Sequence, residues 1–180
     1  MKNLILRNGL LSAAFLFITS LLLFYLLGGA NGSSENYGKG EVVGYLTIIL
    51  SLGFIFLGIK QYRSAHGDQI SFGQALKVGM LITLFPAVAF ALYNILYVEV
   101  LDPQFFEKYF EYQLEKELAV ANPSEHAEIE QRMNEQYASI ANVPFQTLLM
   151  FVTVAIIGFV VSVISGIILV RKKGSPASTT

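Results

Sequence analysis

Histidine and cysteine, the side chains that most often supply bases, nucleophiles and soft metal ligands, are almost absent from this chain. Its 180 residues include no cysteine and two histidines, His66 and His126. The apolar run at residues 76–97 separates the two histidines and is long enough to cross a membrane. A histidine-based metal site or a serine–histidine pair therefore cannot form within one chain, and thiol chemistry is excluded. We expect no catalytic residues, no metal and no cofactor, and we predict that the chain is not an enzyme.

Two residues at one end of this run are candidates for a polar membrane site. Asn94 lies within the run and Glu99 just beyond it. Polar groups inside a bilayer are costly, so they are candidates for binding a substrate or an ion. Tyr93 and Tyr97 flank Asn94 as an interfacial aromatic belt would, and an anchoring role is the alternative. Pro86, within the same run, is either a packing kink or a hinge.

The segment at residues 102–146, which we call the arm, has the pattern of two amphipathic helices. Asp102-Pro103 and Asn122-Pro123 each place a capping residue before a proline, which predicts helices at about 103–120 and 123–140. Apolar residues recur every four positions on both helices. Such faces need a partner, and we expect the two helices to form a hairpin.

The first arm helix carries more aromatic side chains than one neighbouring helix can easily cover. Phe106, Tyr109 and Phe110 on this surface are the candidate partner-binding residues. The arm has nine acidic and three basic residues, so it is not expected to bind tightly to an anionic membrane surface. Another protein, or a second copy of the chain, is the expected partner.

Four apolar runs place these candidates in a membrane protein. Hydrophobic residues form 54% of the chain and charged residues 14%, whereas soluble domains have about 45–50% and about 25%. We predict an all-α polytopic membrane protein with one four-helix membrane domain at 1–173, the arm between the third and fourth helices, and a disordered tail at 174–180. The predicted membrane spans are residues 10–27, 42–59, 76–97 and 147–170.

Basic residues are sorted to one side of these spans. With the N-terminus inside, the inner segments have eight basic residues and one acid, Asp68, while the outer segments have four basic residues and twelve acids. An excess of Lys and Arg marks cytosolic segments. Both termini are therefore expected in the cytosol and the arm outside it. Because topology explains the inner positive charge, no nucleic-acid partner is expected.

Small residues recur every four positions on the third and fourth spans. Helices in lipid associate through close backbone contact at such residues. The two stripes predict the surface through which these helices contact each other, with a homodimer interface as the alternative. The candidate helix-packing residues are Gly79, Thr83 and Ala87 on the third span and Gly158, Ser162 and Gly166 on the fourth.

Three segments of the chain carry a resemblance to a known family. They are Ile70–Met80 (ISFGQALKVGM), the aromatic stretch Tyr93–Tyr97 followed by Asp102-Pro103, and the ending Val161–Lys173. In their order they resemble the bacterial family catalogued as domain of unknown function 4199. The resemblance implies a four-span protein of the bacterial inner (plasma) membrane with a long insertion outside the cytosol. It implies no catalytic residue and no ligand.

The expected function is binding rather than catalysis. We predict a non-enzymatic assembly, scaffold or sensing component in the lipid bilayer, which acts through its arm on a membrane or periplasmic protein or on a second copy. The alternative is a small oligomeric transporter or channel. It would use the Pro86 kink and the end of the third span at Asn94 and Glu99.

Overall fold

Every regular element that the described part of the chain forms is helical. The computed structural model describes residues 2–29 and 35–170, so the predicted disordered tail at 174–180 lies outside the described residues. A π-helical turn at Tyr97–Leu101 continues the third helix, and a 3₁₀ turn at Pro123–Glu125 precedes the fifth. In chain order the helices are α1 (Lys2–Leu26), α2 (Glu35–Ala65), α3 (Phe72–Leu96), α4 (Phe105–Leu118), α5 (His126–Ile140) and α6 (Val143–Leu169).

Four of these helices, α1, α2, α3 and α6, are long and apolar enough to cross a membrane. They have 25, 31, 25 and 27 residues. At about 1.5 Å per residue each exceeds the ~30 Å thickness of a hydrocarbon core. The four predicted spans correspond to these helices, and the described residues form an all-α fold with four candidate membrane-spanning helices.

The helix α2 begins well before the predicted span at 42–59, in a glycine-rich segment. Glycine disfavours a helix, so the sequence pattern alone argues against helical structure there. Tertiary contacts offset this preference: Gly38 packs against the Tyr112 hydroxyl of α4, and Gly40 packs against Leu27. The first turns of α2 are therefore supported by the arm and by the end of α1.

Helix starts agree with the sequence in two places and differ in a third. The capping boxes of Ser71 with Gln74 and of Asn122 with Glu125 both form. Asp102, which the sequence analysis took as the cap of the first arm helix, is not that cap. The N-cap of α4 is Gln104, and the helix is shorter than the predicted 103–120. The Asp102 side chain instead turns inward to an ion pair with Lys108.

The core of the bundle is built around α3, which contacts α1, α2 and α6. The helices α1 and α6 also pack on α2. Leu16 of α1, Ile55 of α2, Ile82 of α3 and Val154 of α6 have no exposed surface. Many large apolar side chains on the outer faces of the same helices are exposed, as expected where lipid is the solvent.

The two ends of the bundle differ in charge. The arm end is the end to which α4 and α5 are attached. The basic end is the opposite one, where α1 begins, α2 ends and α3 begins. Its described basic residues are Lys2, Arg7, Lys60, Arg63 and Lys77.

Candidate functional site in the arm and its attachment to the bundle

The helices that carry the arm, α3 and α6, run antiparallel and meet along a seam of small residues. A residue four positions later on α3 faces a residue four positions earlier on α6. An added Cβ on Gly79 would overlap the Ser162 side chain, and one on Gly158 would overlap Thr83. The seam therefore requires glycine at both positions for the backbones to approach. The facing pairs are Ala75 with Gly166, Gly79 with Ser162, and Thr83 with Gly158.

The hydroxyl groups in this seam are satisfied within their own helices. Thr83 Oγ1 donates to the Gly79 carbonyl at 2.9 Å, and Ser162 Oγ donates to the Gly158 carbonyl at 2.6 Å. Both side chains are buried, and Ala87 one turn further along α3 has no exposed surface. Because the hydroxyls of Thr83 and Ser162 each have a local acceptor, these two residues serve packing and are not free to bind a ligand.

The two residues proposed for a polar membrane site lie in different environments. Asn94 is buried at the arm end of the seam, where its Nδ2 donates to Thr147 Oγ1 of α6 at 3.3 Å. Glu99, in the π-helical turn, is exposed. Pro86 is buried in the interior of α3. The structure thus places Asn94 and Pro86 in the contact between helices, and it does not bring Glu99 into the same buried environment.

An ion pair fixes the point where the arm leaves α3. Asp102 Oδ1 accepts a hydrogen bond from Lys108 Nζ at 2.9 Å, and the Asp102 side chain is only 4% exposed. The main-chain carbonyl of Asp102 also accepts from the Phe105 N–H at 3.0 Å. A buried carboxylate is costly without its cation, so this pair constrains the direction of α4.

A chain of aromatic side chains joins the bundle to one face of α4. Ring centroids are 5.8 Å apart for Tyr93 and Tyr97, 4.8 Å for Tyr97 and Phe105, and 5.6 Å for Phe105 and Tyr109. Aromatic pairs at these separations attract each other beyond the effect of burial. This face of α4 is therefore docked on the arm end of the bundle.

The neighbouring face of α4 lies against α5 and leaves a groove. Phe110 and Tyr137 are in contact, with ring centroids 4.7 Å apart, and Arg132 forms an ion pair with Glu117. No residue of α4 is fully buried. Between the two helices lies a cavity of about 230 Å³, which we call the arm groove. Phe106, Phe110, Met133, Tyr137 and Ile140 provide most of its apolar lining, with Tyr109, Gln113, Glu117 and Gln136 as its polar lining.

Tyr109 borders both the groove and the bundle, and its ionisation is shifted. Burial raises the pKa of Tyr109 above its usual value, and a hydrogen bond from Gln113 opposes this effect. The negative charge of Glu41, near the start of α2, raises the pKa further. Gln113 Nε2 donates to the Tyr109 hydroxyl at 2.6 Å. The neutral phenol is therefore the form that fits the docked arm.

The candidate residues from the sequence divide between these two surfaces. Phe106 and Phe110 line the arm groove, and Tyr109 both lines the groove and stacks on Phe105 of the aromatic chain. The burial of two further polar residues was not predicted: Asp102, and Gln146, which is 2% exposed and donates to the Ile140 carbonyl. Neither had a sequence signal beyond its position beside a predicted helix end. In the described residues, no group of histidines and carboxylates is arranged to hold a metal ion.

Comparisons with known proteins give one result. No curated protein matches the chain, and no solved structure matches it. The family model described as "Protein of unknown function (DUF4199)" matches residues 7–171. Because this match spans nearly the whole chain, the protein belongs to that family.

Proposed function

We propose that this membrane protein is a non-enzymatic binding component that acts through its arm, in an assembly or in sensing. In this proposal the bundle lies in the bacterial inner membrane with both termini in the cytosol. The basic end then faces the cytosol and the arm, as a helical hairpin, lies outside it. The distribution of Lys and Arg supports this orientation, because the only acid at the basic end is Asp68.

The observation that carries the proposal is the arm groove. Two amphipathic helices that served only to cover each other would close their apolar faces. Here, α4 has no fully buried side chain, and among the described residues of α5 only Met133 is buried. The cavity of about 230 Å³ lies among aromatic and aliphatic side chains. Apolar concave surfaces with a few polar groups are where proteins bind ligands and partner segments.

The charge of the arm indicates the kind of partner. Nine acidic and three basic residues give the arm a negative field, and Glu107, Glu111 and Glu115 are exposed on α4. Complementary charge accelerates and orients association. We therefore propose a partner segment with one or two apolar side chains for the groove, flanked by Lys or Arg residues.

Site-specific photo-crosslinking in intact cells tests this proposal. A photoreactive residue replaces Phe106 in the groove, and the adducts are identified by mass. The matched control places the same group at Val120, which is 87% exposed at the turn after α4 and outside the groove. We expect a distinct partner from position 106 that position 120 does not capture.

A second variant separates groove occupancy from arm folding. Ile140→Trp enlarges a lining residue and should fill the groove, while it leaves the photoreactive residue at position 106 and Phe110 in place. The adduct from position 106 should then be lost while the chain remains folded. If the only adducts were to other copies of the chain, the partner at the groove would be a second copy and not a different protein. An unchanged adduct in the Ile140→Trp variant would refute the groove as the binding surface.

The transporter alternative has no supporting contact among the described residues. It relied on Pro86 and on the end of α3 at Asn94 and Glu99. Asn94 donates to Thr147 across the seam, and Pro86 is buried within the bundle. Packing accounts for both, so we do not propose transport.

A further inference from the structure

A relay of hydrogen bonds at the basic end holds one arginine in place without a carboxylate partner. Asn8 is 2% exposed at the crossing of α1 and α2, where its Nδ2 donates to the Leu4 carbonyl and to Gln61 Oε1, each at 2.9 Å. Gly58 of α2 leaves space for the Ile82 side chain, and a Cβ there would also lie in contact with Asn8. Gln61 Oε1 also accepts from Arg7 Nη2 at 2.8 Å. The relay therefore orients an exposed guanidinium at the end of two membrane helices.

Within residues 2–29 and 35–170, no carboxylate forms an ion pair with Arg7. The only acid in the sequence at this end is Asp68, and Asp68 pairs with Arg63 at 3.6 Å. The ion pairs among the described residues do not include Arg7 or Lys60. Guanidinium has five N–H donors in a planar fork that matches phosphate oxygens, and the bond to Gln61 uses only part of them. An oriented arginine with unused donors is suited to bind a phosphate group.

An apolar strip leads from Arg7 toward the middle of the bundle. Leu11 and Phe15 follow Arg7 at four-residue steps on α1 and are 48% and 38% exposed. On α2, Leu57 lies one turn before Gln61 and is 45% exposed. The strip reaches the contact between Phe15 and Phe54, whose ring centroids are 6.4 Å apart. A hydrocarbon chain could lie along this surface with its polar end at Arg7.

We propose that Arg7 and the α1–α2 surface below it bind one anionic phospholipid. The lipid phosphate accepts hydrogen bonds from the Arg7 guanidinium, and Lys60, which directly precedes Gln61 on α2, adds positive charge. One acyl chain lies on Leu11, Leu57 and Phe15. Basic surfaces between membrane helices at the headgroup level are suited to such lipids. The inference does not depend on the function proposed for the arm.

The test uses the purified full chain and measures lipid retention by native mass spectrometry. The lipids are phosphatidylglycerol, which is anionic, and, as the comparison without net charge, the zwitterionic phosphatidylcholine. Arg7→Gln should weaken phosphatidylglycerol retention about tenfold, because it removes hydrogen bonds to a charged group. Arg63→Gln is the matched control: it removes the same charge from the same end, but that guanidinium already pairs with Asp68. Its effect should be less than about threefold.

A third variant tests the orientation of Arg7 without removing it. Gln61→Glu keeps the acceptor oxygen for Asn8 and gives Arg7 a carboxylate partner, so it should weaken retention as much as Arg7→Gln does. This result is informative even if Arg7→Gln does not fold. Equal losses for Arg7→Gln and Arg63→Gln would overturn the proposal in favour of general attraction by charge. If inorganic phosphate raised the melting temperature as much as phosphatidylglycerol does, the ligand would not be a lipid. If Gln61→Glu retained phosphatidylglycerol as well as the unmodified protein does, the role of the oriented Arg7 would be refuted.

Discussion

Adding a single methyl group at Gly158 should separate the two helices that carry the arm. An ideal Cβ on Gly158 would lie 3.0 Å from Thr83 Cβ and would overlap the other side-chain atoms of Thr83. Rotation of Thr83 moves its methyl and hydroxyl groups but leaves its Cβ in place. Rotation also gives up the hydrogen bond from Thr83 Oγ1 to the Gly79 carbonyl. The backbones of α3 and α6 must therefore move apart.

The magnitude follows from these two costs. Overpacking of a close contact costs about 1–3 kcal/mol, and the lost hydrogen bond costs about 1 kcal/mol. We expect Gly158→Ala to lower the free energy of unfolding by about 2–4 kcal/mol. Thr83→Ala, which removes the overlapping atoms, should restore about 1–2 kcal/mol of this loss when the two substitutions are combined.

The assay is reversible unfolding in mixed micelles, followed by circular dichroism. Gly53→Ala is the matched control, because no atom lies within 4 Å of the Cβ it would add. That substitution should be neutral or should stabilise α2 by about 0.5–1 kcal/mol, since alanine favours a helix. If Gly158→Ala were as mild as Gly53→Ala, or if Thr83→Ala gave no rescue, the seam would not be the close contact described above.

Three further predictions concern the arm and the topology. Burial raises the pKa of Tyr109 in the folded protein above the value in the unfolded chain. The packing of the neutral phenol therefore contributes fully to stability below pH ~10, and this contribution is lost as the pH rises above that value. Thermal melts between about pH 9 and 12 should show this loss, and Tyr109→Phe should reduce it. Lys108→Met leaves the Asp102 carboxylate buried and unpaired and should cost about 2 kcal/mol in a denaturant titration, whereas adding Asp102→Asn should recover part of the loss. Single cysteines at Ser64 and Ser124 should react with a membrane-impermeant thiol reagent from opposite sides, and labelling from the same side would refute the proposed orientation.

The sequence was sufficient for the number and type of the membrane helices. Apolar runs of this length have no other common structure, so the four spans could be placed to within a few turns. The start of α2 and the start of α4 could not be predicted. The first depends on contacts of Gly38 and Gly40 with distant residues, and the second depends on the burial of Asp102. Both are tertiary effects that override local preference.

From the sequence, the candidate residues could be predicted only as stripes along single helices, without the residues that they contact on other helices. Four-residue spacing identified Gly79 and Gly158 as residues on packing faces, but spacing along one helix contains no information about its register against another. The register brings Asn94 to Thr147, which turns a candidate ion ligand into a contact between helices. The hydrogen bonds that join Asn8 and Arg7 could not be predicted from the sequence either, because their shared acceptor, Gln61, lies 53 residues from Asn8 in the chain.

The aromatic surplus of α4 is divided between two faces, and this limits what a partner can contact. Phe105 and Tyr109 pack toward the bundle, while Phe106 and Phe110 face α5. A partner is therefore left with the groove and its rim. A cavity of about 230 Å³ has room for one or two apolar side chains, each of which contributes about 1.5–3 kcal/mol on burial. Stable assemblies bury about 1,200 Å² or more, and the groove alone cannot supply that area. A partner that uses only the groove is therefore expected to bind weakly and reversibly, and a permanent assembly would need further contacts outside the groove.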